Sequence, residues 1–151
     1  MNVQRWQWQA GLAGLLVVVG LPVAGKLARG TREAGCALDG VEIEAMFRVR
    51  IVDDERQAHE FCCIRCAEYW MERRAIELTA IYVTDEVSGK EIEASSAYFV
   101  RSSVITMPTT GNRIHVFQDR SDAERHASML RGTVLLGSER PFEPTDRSAE
   151  R

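Results

Sequence analysis

From Ala10 to Gly25 the chain reads AGLAGLLVVVGLPVAG without a charged residue, and Trp6 and Trp8 stand just ahead of it. Counted from Trp6, the run approaches the ~20 residues that a spanning helix needs, with the tryptophans where an interfacial aromatic belt sits. The same stretch also fits a secretory signal: Arg5 as a thin basic start, a Leu/Val-rich centre, then Pro22 and the small residues Val23 to Gly25 as a cleavage site. Residues 1–28 are therefore expected to form a transmembrane anchor or a signal segment, with membrane contact through residues 6–25. Lys26, Arg29 and Arg32 follow the run while Arg5 precedes it, a bias that favours a cytoplasmic C-terminal domain. Its proline and small-residue end favours export, so an extracytoplasmic, periplasm-facing domain is the expectation, with the cytoplasmic side still open.

KLARGTREAG then loses all periodicity, and residues 29–35 read as a linker. In VEIEAMFRVRIVDD, apolar side chains alternate at Val41, Ile43, Ala45, Phe47, Val49 and Ile51, predicting one half-buried strand or two short ones. A turn at Val52–Glu55 and a short return strand into Phe61 lead to a helix. Its apolar stripe is Ile64, Ala67, Tyr69, Trp70 and Met71, with Arg65, Glu68, Glu72 and Arg73 outside. The second half repeats this grammar. LTAIYVTD (78–85) and ASSAYFVRSSV (94–104) are strand-like around a turn at Gly89, and RIHVF (113–117) is another strand. SDAERHASMLRG predicts a helix with Ser121 and Glu124 as a capping box and Gly132 at its C-terminal cap, and its buried stripe is Ala123, Ala127 and Leu130. TVLLG closes the set as a last strand. The expected architecture is α+β: two small β-β-α-like lobes, about 36–77 and 78–137, after an N-terminal hydrophobic helix, with residues 138–151 as a flexible tail.

At 151 residues there is room for one modest domain. A formal net charge of −3 and scattered arginines offer no footprint for nucleic acid. No Gly-x-Ser-x-Gly, phosphate-cradling glycine loop or His-Glu-x-x-His is present, so no enzyme is expected.

The chemistry concentrates in HEFCCIRCAEYW (59–70), which holds three of the chain's four cysteines. Cys62 and Cys66 are four apart and Cys63 and Cys66 three apart, so in or near a helical turn Cys66 shares a face with either partner. Cys36, at the start of the first strand segment, can approach from the side. A helix N-terminus favours the thiolate, the form that binds soft metal ions. Against a metal site stand three competing roles for these thiols: buried inert cysteines, a structural disulfide in an exported protein, and a redox-active pair at Cys63 and Cys66 with Cys-x-x-Cys spacing. Among the histidines, His59 lies three residues from Cys62 and points to the other face of an extended segment. His115 faces opposite to Ile114 and Val116, on a surface or groove, and His126 falls on a solvated helix face.

CALDG (36–40), a strand region and FCCIRCAEYW together resemble a TRASH-type metal-binding module. That pattern is an early cysteine with a second ligand position three residues on, followed by an aromatic-Cys-x-x-x-Cys at a strand-to-helix junction. Downstream, IYVTDEVSGKEIEASSAYFV and RIHVFQDRSDAERHASMLRGTVL are similar to stretches of the nitrous oxide reductase accessory protein (NosL) family. The resemblance spans about residues 36–136. It implies an exported, membrane-attached metallochaperone that binds Cu(I) through cysteine and methionine sulfur and exchanges it with a metal-accepting or metal-donating protein. Position by position it points to Cys36, Cys62 and Cys66, with Cys63 as a further thiol and with Met107 in the loop ITMPTTGN. A methionine beside a strand, as Met107 is, is more often gap-filling core than a ligand. Asp39 stands where many relatives carry a second cysteine, and a carboxylate there suits Zn(II) better than Cu(I). A closed zinc module built from Cys36, Asp39, Cys62 and Cys66 for protein binding is the alternative, and no lipidation signal precedes Cys36.

Overall fold

The computed structural model describes residues 35–74 and 77–143. The anchor or signal segment at 1–28, the linker short of residue 35 and the last eight residues of the expected tail lie outside the described residues.

Two antiparallel sheets and two helices follow one another in the order β1 (Val49–Asp53), β2 (Ala58–Phe61), α1 (Ile64–Glu72), β3 (Leu78–Thr84), β4 (Glu91–Glu93), β5 (Tyr98–Arg101), β6 (Ile114–Phe117), α2 (Arg120–Met129) and β7 (Thr133–Val134). This is the α+β class that the sequence predicts. Strands β2-β1-β3-β4 form one sheet and β6-β5-β7 the other. β3 and β4, which the sequence grammar assigns to a second lobe from residue 78, therefore complete the first sheet. β1 pairs with both β2 and β3, Val49 lying opposite Phe61 on one side and Val83 on the other.

The alternation that begins at Val41 does not give a strand before Val49. Ala45–Phe47 is a 3-10 turn, and residues 41–44 are irregular. The physical reason is the lack of partners: beyond Phe61 the β2 chain turns into α1, and beyond Thr84 the β3 chain turns away. A strand ahead of Val49 would leave its backbone groups unpaired.

Helix α1 buries Ile64, Cys66, Ala67 and Trp70. Trp70 packs its ring edge-on to Phe61, 5.3 Å away, and against His59 at 4.7 Å. Tyr69, which the sequence places in the buried stripe, is 47% exposed and lies under the Arg73 guanidinium, which donates to its hydroxyl oxygen at 2.8 Å. A residue one step from Trp70 is turned by about 100° around the helix, out of the stripe.

One main core joins both sheets: Val49, Ile51, Phe61 and Val83 from the first, Ala67 from α1, and Phe99 and Val116 from the second, with Leu135 just past β7. On its other face the second sheet packs Val100 and Phe117 against Ala123 of α2. Phe99 is fully buried, meets Phe142 edge-on at 6.3 Å, and its carbonyl accepts from the Leu135 amide at 2.8 Å. Because Phe99 joins the two sheets in one core, Phe99→Ala is expected to lower stability by about 3–5 kcal/mol, read as a lower urea midpoint with an unchanged slope.

The second sheet corrects several expectations. α2 starts at Arg120 with Asp119 as its cap residue, two positions before the predicted Ser121, and no side-chain capping bond forms. At its other end the left-handed residue is Arg131 (φ 51°), while the Gly132 amide donates to the Ala127 carbonyl at 2.8 Å. Gly132 is required for closeness: a Cβ there would lie 2.9 Å from the Arg101 carbonyl oxygen. His115 does face away from Val116, but that face is covered by α2, so it is buried between Glu86 (2.9 Å) and Ser102 (3.0 Å). His126, expected in solvent, is half-buried and stacks on His115 at 4.2 Å. Burial, and then the neighbouring His115, lower its pKa.

The start of the predicted tail is also docked. Pro141 is buried, and the Arg140 guanidinium donates to the carbonyls of Ala94, Ser95 and Ala97 at 3.1–3.2 Å.

Candidate metal centre

Cys36 sits in a tight loop ahead of the first sheet. Its amide donates to the Val41 carbonyl and its carbonyl accepts from the Gly40 amide, both at 2.8 Å, while the Ala37 amide ties the loop to Glu60 of β2. The Asp39 carboxylate accepts from the Val41 amide at 3.1 Å, which fixes the loop's remaining turn. Two glycines make this geometry accessible. Gly40 has φ +75°, and a Cβ on Gly35 would lie 2.6 Å from the Gly40 carbonyl oxygen. Gly40→Ala is expected to destabilise the metal-free protein by about 1–2 kcal/mol through the left-handed backbone alone. It should weaken metal binding as well, because the loop carries two of the site's residues; urea unfolding and metal competition on the same variant check both effects.

The other side of the site is the β2–α1 junction. Phe61 ends β2, Cys62 follows, and Cys63 is the extended cap residue (φ −167°, ψ 167°) whose carbonyl accepts the first helical bond, from Ala67 at 3.2 Å. α1 thus begins at Ile64, so Cys62 lies two residues ahead of it and Cys66 in its first turn.

The thiols of Cys36, Cys62 and Cys66 and a carboxylate oxygen of Asp39 lie within 4.8 Å of one another. The three cysteines are buried and Asp39 is exposed. The Cys62 thiol donates to Cys66 sulfur at 3.5 Å, and the Cys66 thiol to Asp39 Oδ2 at 3.4 Å. An ion with bonds to sulfur of ~2.3 Å spaces its ligands by roughly 3.8 Å, so the donors need only small side-chain adjustments to converge on one ion. The set fits both a trigonal all-sulfur site and a tetrahedral site with the carboxylate as fourth ligand.

The electrostatics differ from the sequence expectation of thiolates activated by the helix. Burial, then the adjoining Cys63, push the Cys62 thiol up to about 12, and the same two causes push Cys66 up as well. In the metal-free protein both are neutral thiols. Desolvation outweighs a helix terminus of only fractional charge. For Asp39 burial acts upward, but hydrogen bonds from Cys36, from the Val41 amide and from Cys66 outweigh it and hold the carboxyl below its ordinary value.

Cys63 is buried but turned elsewhere: its sulfur lies 3.3 Å from the Thr110 hydroxyl oxygen. Thr110 belongs to the loop that Met107 opens. Met107 is buried in the same core cluster as the four cysteines, and its carbonyl accepts from the Thr110 hydroxyl at 3.5 Å. Thr110 carries no sequence signal for this contact. His59 is engaged by Asp53 at 2.9 Å and by Trp70, away from the cluster, as its spacing predicts. A cavity of about 720 Å³ opens between α1, β3 and Phe142, and no cysteine lines it.

No protein-family model matches the sequence, and no curated protein matches it. A search of solved structures found the copper chaperone NosL from Shewanella denitrificans, with a TM-score of 0.60 and 21% identity over 70% of this chain and 87% of that one. The fold is that of NosL. The family resemblance read from the sequence thus holds at the level of fold. Among the described residues no helix is long and apolar enough to cross a membrane.

Proposed function

We propose that the protein is a non-enzymatic Cu(I)-handling protein that holds the ion on Cys36, Cys62 and Cys66 and passes it by ligand exchange to a metal-accepting protein. The observation that carries this is the convergence of three buried thiols from two separate chain segments, in a fold shared with a copper chaperone. Soft thiolates favour Cu(I) over harder ions, and a three-sulfur shell leaves a position for an incoming thiol or thioether. The apolar run at residues 6–25 would attach the domain to the membrane on its extracytoplasmic side.

One observation favours a second reading. Asp39 lies within reach of the same three thiols, and a Cys₃Asp set can close a tetrahedral zinc site. A thiol–disulfide role has less support, because Cys63 pairs with Thr110 while Cys66 pairs with Cys62 and Asp39.

Anaerobic titration of the full chain against competing chelators separates these readings. The Cu(I) role predicts one tightly held Cu(I) and only weak Zn(II) binding, with Asp39→Asn leaving the Cu(I) affinity within about tenfold. Tight zinc binding that Asp39→Asn abolishes, with the metal-free protein unfolded, would instead establish the structural zinc module.

A further inference from the structure

The cavity between α1, β3 and Phe142 owes its shape to the place where β4 leaves β3. β4 pairs only with Tyr82–Thr84, so among the described residues Leu78–Ile81 have no strand beside them on that side. At Ala94 the chain turns into the 3-10 segment Ala94–Ser96. The Arg140 guanidinium holds the carbonyls of Ala94, Ser95 and Ala97 there, which keeps the segment from running on along β3. Four consecutive residues, Leu78, Thr79, Ala80 and Ile81, line the space left open. Successive side chains of a strand point to opposite faces, so a wall of four in a row is the strand's edge, where backbone groups are offered for pairing.

The rest of the lining selects what can pair there. Met71, Leu78, Ile81 and Phe142 supply apolar surface, each partly buried and packed against the main core. Three carboxylates share the cavity with them: Glu68 and Glu72 of α1 and Glu93 at the end of β4. Among the described residues none of the three has an ion-pair partner, and Arg140, the cation of the lining, is spent on the carbonyls and on Glu143 at 3.0 Å. Burial raises the Glu68 carboxyl above its ordinary value, a cost that a cation beside it removes. A second copy of the chain, pairing edge to edge, would bring these like charges together. A basic strand meets no such penalty.

We infer that the open edge of β3 is a docking site for a partner protein, and that it takes an extended segment in which apolar residues alternate with lysine or arginine. The segment adds as a strand beside Leu78–Ile81 and continues the ladder where β4 stops. Its apolar side chains cover Met71 and Phe142, and its basic ones meet Glu68, Glu72 and Glu93. Because no cysteine lines the cavity, its occupation leaves the thiol cluster untouched. The assignment rests on the edge and its charges and does not depend on the metal.

The test is fluorescence anisotropy on the metal-free full chain with a labelled peptide of about six residues, alternating lysine and valine, enough to run along the edge. This peptide should bind at least about tenfold more tightly than its glutamate–valine counterpart, and than the same peptide methylated on every backbone amide. Combining Glu72→Gln with Glu93→Gln, both exposed positions, should weaken binding by at least about fivefold while the circular dichroism stays that of wild type. Amide resonances that move on titration should be those of residues 78–81 and of Glu93–Ser95. No binding of the lysine peptide overturns the inference, as does equal binding of the glutamate peptide or shifts confined to other residues. Equal binding of the methylated peptide also overturns it, by leaving charge attraction without strand addition. A concentration-dependent dimer in sedimentation that moves the same resonances would give the edge to a second copy and overturn it too. Failure of the chain to take up Cu(I) would remove the metal role and leave each of these readouts as it is.

Discussion

Replacing Cys62 or Cys66 by serine is expected to lower Cu(I) affinity by more than about a hundredfold, beyond what loss of an outer-shell partner costs. Each variant removes one of three converging sulfurs and leaves a hydroxyl, a poor partner for a soft ion. Cys36→Ser should behave alike, since its thiol belongs to the same group within 4.8 Å. The metal-free variants should fold: the replaced side chains are small and a hydroxyl can take over the thiol's hydrogen bond, such as that to Asp39 at 3.4 Å. Competition against a chelator of known affinity reads the loss. Equal affinities in wild type and all three variants would move the copper site away from this cluster.

The second large effect is on pH. The Cys62 thiol is pushed up to about 12 and Cys66 is raised as well, so neither is ionised at neutral pH before the metal arrives. Each thiol that becomes a ligand must then release its proton, and affinity rises with pH by about one decade per unit for each thiol. The two raised thiols, Cys62 and Cys66, predict a slope of at least about two between pH 6 and 8. A slope near one would mean that most of the ligands are already thiolates. The same shift bears on the metal-free fold. A group whose folded pKa is raised contributes stability that is present below its unfolded value and lost as pH climbs through the folded one. For Cys62 that window runs from the ordinary thiol value of 9.0 to about 12, so the urea midpoint of the metal-free protein should fall across it.

Much of the site is legible in the sequence because it lies at a junction written in local pattern. The alternation into Phe61 and the helical stripe from Ile64 place Cys62, Cys63 and Cys66 where a strand becomes a helix, and CALDG supplies the second arm, its turn permitted by its own Gly40 and by Gly35 just ahead of it. What local pattern lacks is pairing. The period-2 run at Val41–Phe47 matches that of Val49–Asp53, and only the absence of a partner strand beyond Phe61 and Thr84 makes it a loop and a 3-10 turn. β3 carries no local mark of which sheet it joins; it joins the first because β1 offers it a free edge. His115 shows the same limit. Its alternation is read correctly, but whether the opposite face meets solvent or α2 depends on a helix that follows it in the chain. The protonation of the cysteines also escapes sequence. The helix terminus that would favour thiolates is local, whereas the burial that overrides it is built from both sheets.

Docked segments at both ends of the described chain support the core that holds the site. The Cys36–Val41 loop is pinned to β2, and Arg140 and Phe142 close over Ala94 and Phe99.

The most direct test is X-ray absorption at the copper edge on the full chain loaded with one equivalent of Cu(I). The proposed site predicts a first shell of sulfur alone, about three atoms, which loses one sulfur in Cys62→Ser. A shell dominated by nitrogen or oxygen, or a sulfur shell unchanged by that substitution, would contradict it.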